Sequence, residues 1–341
     1  MGACAVIPII DLGPDEKIAA NGFYRLPIER HHGQPCDGIS VTSGILRKME
    51  LYSPYETWAF HALNPDRWEA EPSDALNEGA ALAALLEGGM PALLERFVVL
   101  DADAPPRPTA AQRAAFDRNK FWSENAKPRA DFWEAVEASG KVPLKPTQVH
   151  LLADMARTLA LDPAAQAALD GEPEVTMAVY DEETDLWKLS RPDLVNFDGM
   201  VCDFKKMSAG GRPFNWMLVD RRIEDNGYDL QLGFAAECFE ALTGFWPEEA
   251  AIVAQSDAKP HPVIVREIWE EDLRLGQFRN RAALRRFREC LDSGRWPGPG
   301  EDVGAFQRSE RGRERLMARM DIQTAPGPDK APAEEPITMM G

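Results

Sequence analysis

Hydrophobic residues in the first half of the chain recur mostly at the three- and four-residue spacing of amphipathic helices. Residues 41–61 predict a pair of short helices. The Ala- and Leu-rich segment 76–94 predicts a longer helix that breaks at Gly88 and Gly89, because glycine commonly ends helices. Residues 110–169 continue the helical pattern, with an interruption at 142–146. Residues 1–30 have no such periodicity and are expected to form an irregular arm.

The second half alternates between short strand-like segments and longer helix-like segments. Five segments have the alternation or composition of strands: 174–180, 186–195, 200–205, 250–255 and 262–268. Two longer segments have helical periodicity: 228–242 and 273–291. An Asp-Gly pair between the second and third strands predicts a hairpin with a three-residue loop at 197–199. This order predicts an α/β domain with a mixed sheet flanked by helices and a helical N-terminal elaboration.

Composition limits the class of protein without identifying it. The chain has 341 residues, 44% of them hydrophobic, which is enough for a sizeable core. No run of about 18 apolar residues is present, so no membrane span is predicted. The five cysteines are scattered without a CxxC pair, which argues against a disulfide framework and favours the cytoplasm. Residues 31–298 are expected to form the folded domain, and the polar, Pro-rich residues 299–341 an unstructured tail.

The most informative feature is a pair of aspartates at matching positions of the predicted hairpin. Asp203 and Lys205 are two residues apart on one strand, so both side chains leave the same face of the sheet. The three-residue loop then sets Asp193 directly opposite Asp203, where Cβ atoms are roughly 4.5–5.5 Å apart. Facing carboxylates repel each other unless a cation lies between them.

The aspartate pair therefore predicts a divalent metal site. Mg²⁺ commonly binds one or two carboxylates together with waters and phosphate oxygens, and Mn²⁺ also accepts oxygen ligands. Lys205 would orient or deprotonate a water, or stabilise charge on an attacked phosphate. The alternative is a solvated hairpin with one ordinary Asp–Lys pair, because isolated D-x-K triplets are common.

Several short segments give the chain a resemblance to the RecE-type branch of the PD-(D/E)XK nucleases, which phages and prophages encode. Their order and spacing resemble that family more than any one segment does: 38–44 with Ser53 and Pro54, 174–176, 191–193 followed by 203–205, 228–231, 259–262 and 294–297. The resemblance implies a restriction-endonuclease-like core and a metal-dependent exonuclease that hydrolyses double-stranded DNA from its ends. It also implies a homo-oligomer whose DNA product is passed to a single-strand annealing protein in phage-type recombination.

The resemblance also implies roles for individual residues. The metal ion, Mg²⁺ or Mn²⁺, would be held by Asp193, Asp203 and the Phe204 carbonyl. The catalytic set would be Lys205, Glu174, Gln231 and Tyr228.

One position departs from the family. A helix motif that usually carries a metal-binding histidine corresponds here to residues 79–86, and Ala83 stands at the histidine position. His31, His32 or His61 could compensate, although a lone histidine is more often structural. A second hypothesis is therefore a weakened or inactive protein that keeps the fold and binds DNA ends.

DNA binding requires a local basic track, because the formal net charge is −18. Residues 273–288 are rich in arginine and contain no acid, and Arg281, Arg285 and Arg288 share one helical face. These three, with Lys206 and Arg191 near the hairpin, are the candidate DNA contacts. The alternative is a helix face paired with acids, and burial against acids would favour a third hypothesis, an acidic interaction protein.

Overall fold

The structure is a computed structural model that describes residues 7–68, 74–300 and 307–324. These residues form twelve strands and twelve helices. The strands are β1 (Ile9–Asp11), β2 (Gly22–Arg25), β3 (Ser40–Thr42), β4 (Phe97–Val99), β5 (Val142–Leu144), β6 (Glu172–Pro173), β7 (Thr176–Asp181), β8 (Leu186–Ser190), β9 (Leu194–Asn196), β10 (Met200–Met207), β11 (Glu249–Ser256) and β12 (Val263–Glu267). The helices are α1 (Ile28–His32), α2 (Ser43–Leu51), α3 (Pro54–Ala59), α4 (Asp74–Arg96), α5 (Ala110–Asn119), α6 (Lys127–Ala138), α7 (Pro146–Ala160), α8 (Pro163–Ala168), α9 (Trp216–Asn226), α10 (Tyr228–Thr243), α11 (Glu270–Ser293) and α12 (Glu310–Thr324). None of these described helices is long and apolar enough to cross a lipid bilayer.

The chain divides into two units, Met1–Pro299 and Gly300–Gly341. The second unit contains α12, so the segment predicted to be an unstructured tail includes a helix. Two other parts of that segment, 301–306 and 325–341, lie outside the described residues, as do residues 1–6 of the predicted arm.

The strands form two mixed five-stranded sheets, which confirms the predicted α/β class. The first has the order β1-β2-β7-β8-β3 and the second β12-β11-β10-β9-β6, while β4 and β5 form a separate parallel pair. In the second sheet β10 pairs in parallel with β11 and antiparallel with β9. Strand β10 is therefore central, and every backbone position along it has a neighbour strand on at least one side.

The expectation of an irregular N-terminal arm is wrong for the residues of β1 and β2. Strand β2 pairs antiparallel with β7, for example Phe23 with Met177, and β1 pairs in parallel with β2. These strands are only three and four residues long. Their pairing partner lies about 150 positions further along the chain, as the Phe23–Met177 register shows, so no local periodicity reports it.

The predicted strand 186–195 is interrupted. Strand β8 ends at Ser190 and β9 begins at Leu194 in the other sheet. Pro192 lies in the break, where a residue without a backbone N–H cannot continue the ladder of hydrogen bonds. The interruption sets Asp193 just before a strand of the second sheet, at the boundary between the two sheets.

Helices α10 and α11 pack against each other with a close approach of their backbones. A Cβ atom added at Gly233 would lie 2.7 Å from the Leu273 carbonyl oxygen, and one added at Gly276 would lie 2.9 Å from that of Asp229. Glycine at both positions therefore permits the approach. The Asn280 amide donates a hydrogen bond of 2.7 Å to the Leu230 carbonyl at the same crossing.

Helix α4 packs with α7 on a second hydrophobic core, separate from the main one. The helix contains the predicted interruption, because Gly88 and Gly89 have non-helical backbone angles. Phe204 of β10 is partly buried against this second core. Through this packing α4 lies beside the central strand of the second sheet.

Candidate active site

The hairpin of β9 and β10 has the predicted register. Asn196 pairs with Met200 and Leu194 pairs with Cys202, which leaves a loop of three residues. Gly199, the last of them, has a φ of 119°, a value that favours glycine. Continued by one residue, the register sets Asp193 opposite Asp203, as predicted.

Asp193 is fixed by the backbone of the opposite strand. Its Oδ2 atom accepts a hydrogen bond of 2.6 Å from the Phe204 amide. In a strand the N–H and C=O of one residue project to the same edge, so the Phe204 carbonyl is directed towards Asp193 as well. The residue opposite Phe204 in this register is Pro192, which has no N–H to donate to that carbonyl. The Asp193 and Asp203 carboxylates and the Phe204 carbonyl oxygen are thus brought together beside β10, where β9 begins.

Lys205 lies on the same strand, two residues after Asp203. Its Nζ atom is ion-paired with Asp203 Oδ2. The Asp203 side chain is 1% exposed and that of Lys205 is 19% exposed, so the pair is buried on one side and open on the other. The lysine Nζ also lies 5.0 Å from the ring centroid of Tyr228, the first residue of α10.

The electrostatics of the aspartate pair are unfavourable in the absence of a cation. Burial, and then the neighbouring charge of Asp203, raise the pKa of Asp193 from 3.8 to about 7. Burial opposes the charged form of Lys205, but the carboxylates of Asp203 and Asp193 outweigh it and raise the pKa of the lysine. The lysine alone therefore does not neutralise the two carboxylates.

Glu174 lies near the pair, although not within a strand as expected. It falls between β6 and β7 with a φ of 53°, a left-handed conformation that non-glycine residues rarely adopt. Its amide donates a hydrogen bond of 3.1 Å to the Asp193 carbonyl, and its carboxylate is ion-paired with Arg191. The side chain of Arg191 is only 10% exposed and also donates to the Leu26 carbonyl. We therefore withdraw Arg191 as a DNA contact and assign it to positioning Glu174.

A cavity of about 600 Å³ opens over these residues. Asp193, Phe204, Lys205, Glu174 and Tyr228 line it on one side, and Gly79, Ala80 and Ala83 of α4 line it on another. Ala83 therefore lies on a helix that faces the site. A methyl group cannot bind a metal ion, so α4 contributes space rather than a ligand at this position.

The three histidines considered as replacements do not line this cavity. The His31 imidazole is buried, and its Nδ1 atom lies 3.1 Å from the Thr176 hydroxyl. The His32 ring packs edge-on against that of His31. His61 stacks on Trp58, and burial lowers its pKa to about 4. Within the described part of the chain, no group of three His, Cys, Asp or Glu side chains is arranged to hold a metal ion.

The remaining predicted residues near the site have mixed locations. Lys206 lines the cavity and is ion-paired with Glu78 of α4, a carboxylate that the sequence patterns do not single out. Tyr228 lines the cavity. Gln231 does not line it; the Gln231 side chain instead accepts a hydrogen bond of 3.4 Å from Arg47, another residue that the patterns do not indicate.

The predicted arginine track has intramolecular partners. Arg281 is ion-paired with Asp181, Glu183 and Glu237. Arg285 is paired with Glu183, and Arg288 with Asp185 and Asp292. Most of these acids lie in or next to the turn between β7 and β8. The alternative, a helix face paired with acids, is therefore correct, and we no longer propose these arginines as a phosphate track.

Comparison with known proteins assigns the fold. A family described as a PDDEXK-like domain of unknown function (DUF3799) matches residues 53–308, which is most of the chain. The chain belongs to this family. The sequence contains the letters P-D at Pro192 and Asp193 and D-x-K at Asp203–Lys205, and of these residues Asp193, Phe204 and Lys205 line the cavity.

Two solved structures are similar to this PDDEXK-like protein. A protein from Eubacterium rectale named as a candidate exonuclease has a TM-score of 0.55 at 12% identity, over 88% of this chain and 98% of that chain. At this identity the likeness shows a shared fold. A phage-related exonuclease from Haemophilus somnus 129PT is 12% identical over 62% of this chain and 95% of that chain, with a TM-score of 0.30, which is too low to support a shared fold. Nothing among the curated proteins matches.

Proposed function

We propose that this PDDEXK-like protein is a divalent-metal-dependent deoxyribonuclease that degrades linear double-stranded DNA from its ends. The observation that carries the proposal is the convergence of Asp193, Asp203 and Lys205 at the central strand of the second sheet, beside the start of β9. The name of the similar structure from Eubacterium rectale adds support for exonuclease action. The same proposal includes assembly into a homo-oligomer and a role in phage-type recombination, in which the DNA product passes to a single-strand annealing protein.

The residues present fit a divalent cation. Burial first, and the facing Asp203 carboxylate second, raise the pKa of Asp193, and a cation between the two carboxylates would favour their charged forms. The available donors are all oxygen atoms, which suits Mg²⁺ and also Mn²⁺. Asp193, Asp203 and the Phe204 carbonyl would hold the ion, and solvent would complete the coordination where Ala83 offers no ligand.

In this proposal the chain's own residues position and stabilise the reacting phosphate. Hydrolysis adds water to phosphorus and breaks one P–O ester bond, which leaves a phosphate on one fragment and a hydroxyl on the other. A bound divalent cation would supply charge stabilisation at the attacked phosphate. The ammonium group of Lys205 keeps its proton beside two carboxylates, so it acts as a fixed positive charge for the nonbridging oxygens. Glu174, held by Arg191, keeps the Asp193 backbone in place through its amide.

A second candidate function is favoured by the alanine at position 83. A protein with this fold but weakened metal affinity would bind DNA ends without cutting them. The four described cysteines, all free and buried, fit a reducing compartment, and we propose the cytoplasm for either function.

The proposal is tested by incubating the full chain with Mg²⁺ or Mn²⁺ and two forms of the same plasmid, one linearised and one covalently closed. We expect nucleotide release from the linear form alone, and none from either form when the metal is chelated. Cutting of the closed circle would replace exonuclease action with endonuclease action. Binding to the linear form without release in either metal would support the end-binding function instead.

A further inference from the structure

Tyr228 lines a second cavity beside the active-site cavity. This groove has a volume of about 310 Å³ and is bordered by Arg47 and Lys48 of α2, by Tyr52, and by Phe60 after α3. The ring of Tyr228 is shared, since it lies 5.0 Å from Lys205 Nζ in the active site and 5.8 Å from the Arg47 guanidinium. The groove is therefore adjacent to the reacting centre through one side chain.

The two cations of the groove make only weak contacts with neighbouring side chains. Arg47 makes one long hydrogen bond, of 3.4 Å, to the Gln231 side chain, and Lys48 Nζ lies 5.4 Å from the centroid of the Phe60 ring. Among the residues that the structure describes, neither cation is ion-paired with a carboxylate. Arg47 is half-buried, and it differs in this respect from the half-buried Arg279, Arg281 and Arg288, which each have an acidic partner in this chain of net charge −18. Glu56 also lines the groove, but its carboxylate accepts a hydrogen bond of 2.7 Å from the Ser53 hydroxyl at the start of α3.

Aromatic rings stand beside these cations with much of their surface open to solvent. Tyr52 is 66% exposed and Phe60 is 44% exposed. Unpaired cations next to exposed rings suit single-stranded nucleic acid, whose phosphates pair with the cations while its bases stack on the rings. Duplex DNA does not offer its base faces in this way, because they are stacked inside the helix.

We propose that this groove binds a single-stranded segment of DNA that continues from the active site past Tyr228. Arg47 and Lys48 contact its phosphates, and an unpaired base stacks on Phe60 or Tyr52. Within the proposed activity on double-stranded DNA, the preferred end is then one that carries unpaired nucleotides. This inference rests on the proposed function for its direction, but the binding itself does not require cutting.

The test measures binding by the full chain in a metal chelator, so that cleavage cannot contribute. The probes are a fluorescent oligothymidylate of about ten nucleotides, within the range of known single-strand sites, and a blunt duplex of equal length. The variants are Arg47→Ala, Lys48→Ala and Phe60→Ala. The matched controls are Arg118→Ala and Phe121→Ala, an exposed arginine on α5 and an exposed phenylalanine after it. Circular dichroism checks that each variant is folded, and the exposed Lys48 provides a substitution that leaves the core untouched.

Each groove variant should weaken oligothymidylate binding by roughly fivefold or more, in the range found for single stacking and phosphate contacts. Loss of Lys48 should also reduce the dependence of log affinity on log salt by about 0.7, the value for one phosphate of a single strand. Phe60→Ala should leave the salt dependence unchanged. Control variants should bind like the wild type.

Unchanged oligothymidylate affinity in folded Lys48→Ala and Phe60→Ala would overturn the inference, and so would equal losses in the controls. Equal losses for the blunt duplex would overturn the single-strand assignment in favour of a duplex surface. Cutting of linear DNA by a wild type whose groove variants bind normally would refute the groove alone. Groove-dependent binding by a protein that cuts no DNA would refute the proposed function alone.

Discussion

The burial of Asp193 beside the Asp203 carboxylate predicts that a single amide substitution stabilises the metal-free protein. Asp193→Asn removes one charge, and its side-chain oxygen can still accept the Phe204 amide hydrogen bond. The pKa of Asp193 is raised from 3.8 to about 7, mainly by burial and then by Asp203. At about 1.4 kcal/mol per unit, ionising this carboxyl in the folded state costs at most roughly 4 kcal/mol. Because Asp193 borders an open cavity, we expect about half of this, ~2 kcal/mol.

The sign of the effect depends on pH. Where the folded protein holds a proton that the unfolded chain has released, stability falls as pH rises. For Asp193 this window runs from its ordinary pKa of 3.8 to the raised value of about 7. The wild type should therefore lose stability across the window, and Asp193→Asn should not. The difference in the free energy of unfolding should be small near pH 4 and close to its full ~2 kcal/mol near pH 8.

Urea denaturation of both proteins at several pH values, with a chelator present, measures this difference. Asp198→Asn is the matched control, because Asp198 is exposed in the loop of the same hairpin and should show no such change. Adding Mg²⁺ should then stabilise the wild type near pH 8 more than the variant, since a bound ligand stabilises the state that binds it. A variant that is less stable than the wild type at every pH would refute the reasoning, because the carboxyl would then contribute favourably when ionised.

Two further substitutions test other parts of the structure. The Lys188 side chain is 5% exposed, and its Nζ atom lies 2.6 Å from Glu237 Oε1 and 3.9 Å from Asp181 Oδ1. Lys188→Met should therefore lower the free energy of unfolding by about 3 kcal/mol, whereas the control Lys127→Met, at the exposed Lys127–Asp131 pair, should change it by under about 1 kcal/mol. Equal effects of the two substitutions in urea denaturation would contradict a stabilising buried ion-pair network. Ala83→His restores an imidazole to the cavity wall, so the Mn²⁺ concentration that half-saturates binding, measured calorimetrically, should fall about tenfold, worth about 1.4 kcal/mol; no change would show that position 83 does not reach the ion.

The aspartate pair could be predicted from the sequence because its geometry is local. A three-residue loop and the two-residue period of a strand fix which residues of a hairpin face each other. The Asp193–Asp203 register needs no information from elsewhere in the chain. Helix α9, which the periodicity does not predict, also has a local signal, since Asn215 caps its start by accepting a hydrogen bond from the Leu218 amide.

Long-range pairing could not be predicted from a single sequence. The arginine face of α11 reads as a free basic track, yet Arg281 meets Asp181 one hundred positions earlier in the chain. Arg191 similarly reads as a cation beside the hairpin, but folding buries it against Glu174 and the Leu26 carbonyl. Periodicity reports which side of an element a residue occupies and not which charges the opposing surface presents.

Asp203 is expected to be essential for metal-dependent hydrolysis of linear DNA, and the rate of nucleotide release measures this directly. We compare wild type with Asp203→Asn, which keeps the shape of a side chain that is 1% exposed, using linear duplex DNA and saturating Mg²⁺. The substitution removes a metal ligand and the partner that orients Lys205, so the rate should fall on the order of a thousandfold or more. DNA binding in a chelator should change little. Equal rates in the two proteins, or no release by the wild type in either Mg²⁺ or Mn²⁺, would contradict this expectation.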